Sequence, residues 1–208
     1  MAVGEAALTR SEASGARLHA ERGLVQLCRQ GDPEAFERLV ALHESMVFNL
    51  AARLLGDGEE ARDLSQEVFL QVYRQLGRFE GRSTLKTWIY RIVVNQCRNR
   101  QRLWWRRRRD RALALDQMTA ADELRLAAPE GPHEELSRRE QARRVQAALL
   151  GLSFAHRAVL LLREVEQLSC DEIAATLDVP IGTVKSRLAR ARDALRERLL
   201  PLLAEAER

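Results

Sequence analysis

The stretch from Leu168 to Arg187 constrains this chain more than any other, because it reads as two short helices joined by a tight turn. Ser169 and Glu172 stand in the capping-box spacing, which predicts a helix beginning at Cys170. Ile173, Ala174 and Leu177 give that helix one apolar face. Val179 to Gly182 is the turn, punctuated by Pro180 and Gly182. Pro180 suits the first position of the second helix, where an amide N–H has no partner in any case. Val184, Leu188, Ala191, Leu195 and Leu199 then recur at helical spacing. At about 100° per residue, Lys185, Ser186, Ala189 and Arg190 fall away from that stripe. A small, basic, exposed face on the second helix of such a pair fits a DNA major groove. A plain helical hairpin with a solvated basic face has the same pattern.

The 208 residues allow one or two domains, and a chain rich in Ala, Leu, Arg and Glu with 5% aromatics is expected to be all-α. No apolar run approaches the ~18 residues that span a bilayer. The first residues carry Glu5, Glu12 and Glu21 and no apolar signal core, so the expected compartment is the cytoplasm. A net charge of +4 hides a strong asymmetry: 98–111 holds eight arginines against one acid, and 112–135 holds six acids against one base. Nucleic acid is the partner chemistry that suits the basic block, a solvated helix end the plainer one. Cys28, Cys97 and Cys170 lie far apart and form no Cys/His pair, which predicts free thiols and no metal site. The acids are spread over helix faces with no metal-binding or nucleophile–base set, so no catalytic residues, cofactor or small-molecule substrate are expected.

Residues 1–23 read as a flexible leader, and Leu24 to Gln30 as a short helix ended by Gly31. Asp32-Pro33 opens the next helix, with Phe36, Leu39, Val40, His43, Val47, Leu50 and Leu54 at helical spacing until Gly56-Asp57-Gly58. From about Glu59 to Leu76 the residues Ala61, Leu64, Val68, Val72 and Leu76 make a core stripe. Asp63, Gln66, Glu67, Leu70 and Arg74 line the opposite side, an outward leucine among polar groups that suits a protein partner. After the loop Arg78 to Thr84, Ser83 is expected to cap a long helix whose inner stripe is Leu85, Trp88, Ile89, Ile92 and Val93. Thr87, Arg91, Asn95, Arg98 and Arg102 cluster on another side of it, a surface for phosphate and base edges. Ala127 to Pro132 marks a linker, Ser153 a further cap, and periodicity resumes at about Leu136. The layout is a helical domain over 24–110, an acidic flexible linker over 111–135, and a second helical domain over 136–203.

Over about 24–203 the chain resembles one family, the extracytoplasmic-function group of bacterial RNA polymerase sigma factors. Gly31 to Phe36 looks like the family's opening helix, and Asp63-Leu64-Ser65-Gln66-Glu67-Val68-Phe69 like its core-polymerase-binding segment. Phe79 to Ile92 is similar to its promoter-melting, −10-reading segment, and Leu168 to Arg192 to its −35-reading helix-turn-helix. The resemblance implies two domains, a sigma2-like bundle and a sigma4-like helix-turn-helix, and no catalytic activity. It implies core RNA polymerase and promoter DNA as partners, and an anti-sigma factor as a family expectation, with no membrane insertion.

By that resemblance Asp63, Gln66, Glu67 and Leu70 are the polymerase-binding residues. Phe79, Gly81, Ser83 and Thr84 lie in a loop that captures an unstacked base, with Lys86, Trp88, Arg91, Asn95 and Arg98 along the same −10 and melting surface. Lys185, Ser186 and Arg190 reach −35 base edges, and Thr183 and Arg187 are better placed for phosphates. A linker of about 26 residues can extend to roughly 85 Å, enough to separate two DNA-reading domains. A polymerase-independent helix-turn-helix regulator is the alternative, which leaves Asp63 to Phe69 and Phe79 to Ile92 unaccounted for.

Overall fold

The computed structural model describes residues 21–112 and 133–206, all of them in helices, turns and short connections with no strand among them. The first unit is built from α1 (21–29), α2 (Pro33–Leu55), α3 (Gly58–Gln75), a single 3₁₀ turn (Leu76–Arg78) and α4 (Leu85–Ala112). The second is built from α5 (His133–Leu150), α6 (Phe154–Leu160), a π-helical turn (Leu161–Val165), α7 (Cys170–Leu177) and α8 (Ile181–Ala206).

Local chemistry sets most of these boundaries. The Asp32 carboxylate accepts from the Ala35 amide at 3.1 Å, with Pro33 behind it. Gly56 ends α2 in the left-handed region at φ 79°, and Asp57 opens α3 by accepting from the Glu59 and Glu60 amides at 2.8 and 3.0 Å. Ser169 and Glu172 form the reciprocal capping box, with the Glu172 carboxylate accepting from the Ser169 amide at 2.8 Å. Leu39, Val47, Leu50 and Leu54 of α2, Ala61, Leu64, Val68 and Val72 of α3, and Leu85, Ile89 and Val93 of α4 are fully buried against one another.

Several local expectations are corrected. Thr84, not Ser83, caps α4: its hydroxyl accepts from the Thr87 amide at 3.1 Å and its carbonyl from the Trp88 amide at 3.1 Å. Pro180 sits one residue before α8 begins. Helix α1 begins at residue 21, inside the stretch read as leader; 1–20 lie outside the described residues, as does 113–132 of the expected linker, whose two ends belong to α4 and α5. The helix that Ser153 caps passes at Leu161 into the π-helical turn, closed by the Glu166 amide on the Leu161 carbonyl at 3.0 Å.

The two units are docked. Arg157 of α6, only 3% exposed, donates to the carbonyl of Leu54 in the last turn of α2, and to Leu150 and Leu152 at 3.2 Å each. Gln146 of α5 donates to the neighbouring Arg53 carbonyl at 3.0 Å. The carbonyls that a helix end leaves without partners are thus satisfied at α2 by the other unit. The guanidinium also meets the negative end of the α2 dipole. Gly56 makes the approach possible, since a Cβ there would strike the Leu150 side chain. Burial depresses the Arg157 pKa to about 10, so the group is still a cation at neutral pH.

Arg157→Ala is expected to lower stability by about 2–3 kcal/mol, the worth of charge-assisted bonds to carbonyls left bare. Urea denaturation measures this. The same change should speed alkylation of buried Cys97, whose thiol burial pushes up to about 12 and which Arg157 faces. An unaltered Cys97 labelling rate would show that the guanidinium does not hold the joint.

Candidate nucleic-acid and polymerase interfaces

Three surfaces emerge from this packing. The first is the outer face of α8. Val184, Leu188 and Ala191 are buried against Ile173 and Leu177 of α7, which turns Lys185, Ser186, Ala189 and Arg190 outward, all exposed. Thr183 and Arg187 are half-buried at its margin, and the Ser186 hydroxyl donates to the Thr183 carbonyl at 3.1 Å. Arg192 grips Glu164 at 2.6 and 3.0 Å and so fixes α8 to the π-helical turn behind it. Asp178 makes the α7–α8 turn in the left-handed region at φ 55°, its amide on the Ala174 carbonyl.

The second surface runs from the loop Phe79–Thr84 along α4. Gly81 takes φ 71°, a conformation that favours glycine. Phe79 and Trp88 close the loop with ring centroids 5.3 Å apart, both half-buried, while Ser83 and Thr84 are partly exposed. Lys86, Arg91 and Asn95 are exposed and Arg98 half-buried. Thr87 does not join them: it is 3% exposed and shares a hydroxyl–hydroxyl bond with Thr84 at 2.8 Å. Trp104 is half-exposed, and the side chains of Trp105 to Arg111 lie outside the described residues.

This second surface touches the second unit. Arg91 pairs with Asp178 at 3.6 Å, the Arg98 guanidinium lies 5.8 Å from the Phe154 ring, and the Tyr90 hydroxyl donates to Glu166. Burial and the Glu166 carboxylate together hold the Tyr90 phenol protonated well above its ordinary range.

The third surface is the outer side of α3. Asp63, Gln66, Glu67 and Leu70 are all exposed, and an open groove beside them is lined by Glu67, Leu70, Gln71, Arg74, Gln75 and Gln96. Arg100 of α4 reaches across to Glu60 and Glu67 at 2.7 and 2.6 Å, so the Glu67 carboxylate is already oriented. The sequence reading missed Tyr73, 59% exposed beside Leu70 and edge-on to Phe36 at 5.0 Å. Its signal was present, since Tyr73 follows Leu70 by three residues and so shares its side of α3. Among the described residues no cluster of three or more His, Cys, Asp or Glu is placed to hold a metal ion. None of their helices is long and apolar enough to cross a membrane.

A family model described as Sigma-70 region 2 matches residues 39–111, and one described as Sigma-70, region 4 matches 142–195. The RNA polymerase sigma-H factor of Pseudomonas aeruginosa is 37% identical over 89% of this chain and 97% of its own length. The ECF RNA polymerase sigma-E factor of Escherichia coli K12 is 36% identical over 86% of this chain and 94% of its own. Among solved structures, the sigma factor RpoE bound to the anti-sigma factor NepR of Bartonella quintana is similar at a TM-score of 0.61 and 25% identity, covering 79% of this chain and 96% of that one. CnrH bound to the cytosolic domain of CnrY is similar at 0.61 and 25%, covering 91% and 99%.

The turn at Asp178 gives a direct check of the helix pair. Asp178→Asn keeps a residue type that tolerates the left-handed region and should move stability by less than about 0.5 kcal/mol, because the lost pair with Arg91 is exposed. Asp178→Val should cost about 1–2 kcal/mol by thermal or urea unfolding, since a β-branched residue is strained there.

Proposed function

The chain belongs to the extracytoplasmic-function RNA polymerase sigma factors, and we propose that it binds core RNA polymerase and brings it to promoters by reading −10 and −35 elements with separate helical units. The observation that supports this reading best is the arrangement of faces on one chain. Each of two units carries an outward cation-bearing surface, and the first unit alone adds the stripe of Asp63, Gln66, Glu67 and Leu70. A regulator acting without polymerase has no use for that stripe.

In this reading Lys185, Ser186 and Arg190 meet base edges in the major groove, with Thr183 and Arg187 on phosphates. Phe79, Gly81, Ser83 and Thr84 frame the pocket for a base taken out of the stack. Lys86, Trp88, Arg91, Asn95 and Arg98 hold the strand beside it. Leu70 with its polar neighbours seats on the polymerase. The protein performs no chemistry of its own, works in the cytoplasm with the polymerase, and is held in reserve by an anti-sigma factor, a partner with which the similar RpoE chain is found in complex.

The docked arrangement bears on this mechanism. Elements named −10 and −35 lie about 25 base pairs apart, roughly 85 Å of duplex at 3.4 Å per pair. Arg91 and Asp178, on the two reading units, are 3.6 Å apart. Both elements of one promoter are therefore out of reach until the units separate. Arg91 and Arg98 are freed for the strand by the same movement.

Run-off transcription with purified core polymerase tests the reading. Promoter-dependent transcripts on adding the protein are expected; DNA binding with no transcript would favour the independent regulator. Replacing Gln66 and Glu67 by Lys should weaken co-purification with core polymerase while helicity is kept, and unchanged co-purification would remove α3 from the interface. Arg190→Ala should cost about 1–3 kcal/mol at one −35 position. A uniform loss over all −35 sequences would make Arg190 a phosphate contact.

A further inference from the structure

Helix α1 lies outside every surface so far assigned, yet it reaches both ends of the loop Phe79–Thr84. Arg29, at its last turn, donates through Nε to the Leu76 carbonyl at 3.3 Å and through Nη2 to the carbonyl of Phe79. Glu21, at its first turn, accepts from the Leu85 amide at 2.7 Å, where the loop enters α4. Val25 and Cys28 between them are buried in the core, which fixes the helix to the bundle. Eight residues along a helix rise about 12 Å and return to within a quarter-turn of the same side. Helix α1 is thus a strut with one polar grip on each side of the loop.

We propose that Arg29 and Glu21 are positioning residues for −10 recognition, holding the two ends of the loop at the separation that receives an extruded base. The proposal rests on the reading of that loop as the base pocket.

The physical case starts from what the loop lacks. Its own polar contacts are all local: the Phe79 amide on the Leu76 carbonyl at 3.1 Å, the exposed Glu80–Arg82 pair at 2.6 Å, a Ser83 hydroxyl bond to the adjacent Thr84 carbonyl at 3.3 Å, and the Thr84 cap of α4, none of which spans it. Phe79 on Trp88 closes one side by ring contact alone. Six residues left to order only when a base arrives would lose that conformational freedom at the moment of binding. They would do so on top of the work of unstacking the base. Tying both ends beforehand removes that part of the cost, which is what preorganisation achieves. The two side chains are chemically suited to it. A planar guanidinium reaches the two carbonyls from two nitrogens held in one rigid fork, a geometry that the single nitrogen of an ammonium does not reproduce. A carboxylate at the start of α4 meets amides without helical partners and the positive end of the helix dipole.

The test is transcription by the reconstituted holoenzyme from fragmented total genomic DNA, with transcript starts sequenced. Base preference is then scored separately at the −10 and −35 elements for Arg29→Gln, Arg29→Lys, Glu21→Ala, Glu21→Gln and Phe79→Ala. Arg29→Gln and Glu21→Ala should reduce selectivity at the captured −10 base about tenfold, with −35 selectivity and core affinity unchanged. Glu21→Gln, whose amide oxygen still accepts from Leu85, should recover most of it. Arg29→Lys should not recover, because a single nitrogen on a flexible stem does not occupy both the Nε and the Nη2 positions. Equal loss at both elements, or lost core binding, would mean that α1 merely stabilises the fold and overturns the proposal. If Phe79→Ala abolishes −10 preference while the α1 variants keep it, the strut fails and the base-pocket reading stands. If Phe79→Ala also leaves the preference intact, both fail.

Discussion

The arrangement of this molecule depends on one buried cation. Arg157 enters the end of α2 from the other helical unit and brings together the Leu54, Leu150 and Leu152 carbonyls, while its Nε has no partner among the described residues. Among the described residues no carboxylate accompanies it, so the offset to its desolvation comes from carbonyl oxygens and from the negative end of a helix of 23 residues. That compensation is partial, as the depressed pKa records. A purely apolar plug of the same volume would dock at least as well. A guanidinium differs in what happens on leaving: it regains full hydration in water, whereas an apolar plug would expose surface. The joint is therefore strong enough to define a packing and weak enough to be given up for a better partner.

The remaining contacts across the joint follow the same logic. Arg91 with Asp178 is an exposed pair that salt screens, worth little by itself. Arg98 over Phe154 is a cation above a half-buried ring. Both arginines belong to the surface proposed to hold single-stranded DNA. A strand of phosphates offers them stronger partners than one carboxylate and one ring. On that proposal DNA and the second unit compete for the same side chains, which would couple strand binding to the separation of the units without any added switch.

Much of this was legible in the sequence, for reasons that differ by element. The caps at Asp32, Ser153 and Ser169 act within a few residues, so local spacing reveals them. The stripes of α3 and α8 were readable because a single buried face leaves a strict period. The family likeness was readable from the order of four motifs. Most of what escaped reading is long-range. Glu21 looked like leader because its partner, Leu85, lies 64 residues away. Nothing in the sequence singles out Arg157, since its acceptors are backbone carbonyls that no sequence pattern marks. Thr87 sits in the right angular sector of α4 for the DNA stripe, and only packing shows that it is buried under the loop.

The two long-range features have one consequence in common. Arg157 and Arg29 each satisfy main-chain carbonyls where a helix or turn ends, Leu54 in one case and Leu76 and Phe79 in the other. An arginine used in this way reads the shape of the backbone and is indifferent to the side chains there. Apart from Gly56 and Gly81, the α2 end and the loop can therefore vary in side chain while these grips hold their backbone from outside. If the loop reads a promoter base as proposed, this separates two tasks. Exposed loop positions such as Glu80 and Arg82 can be changed for specificity, while α1, with Gly81, the Thr84 cap and the Phe79–Trp88 contact, keeps the loop in a receptive shape.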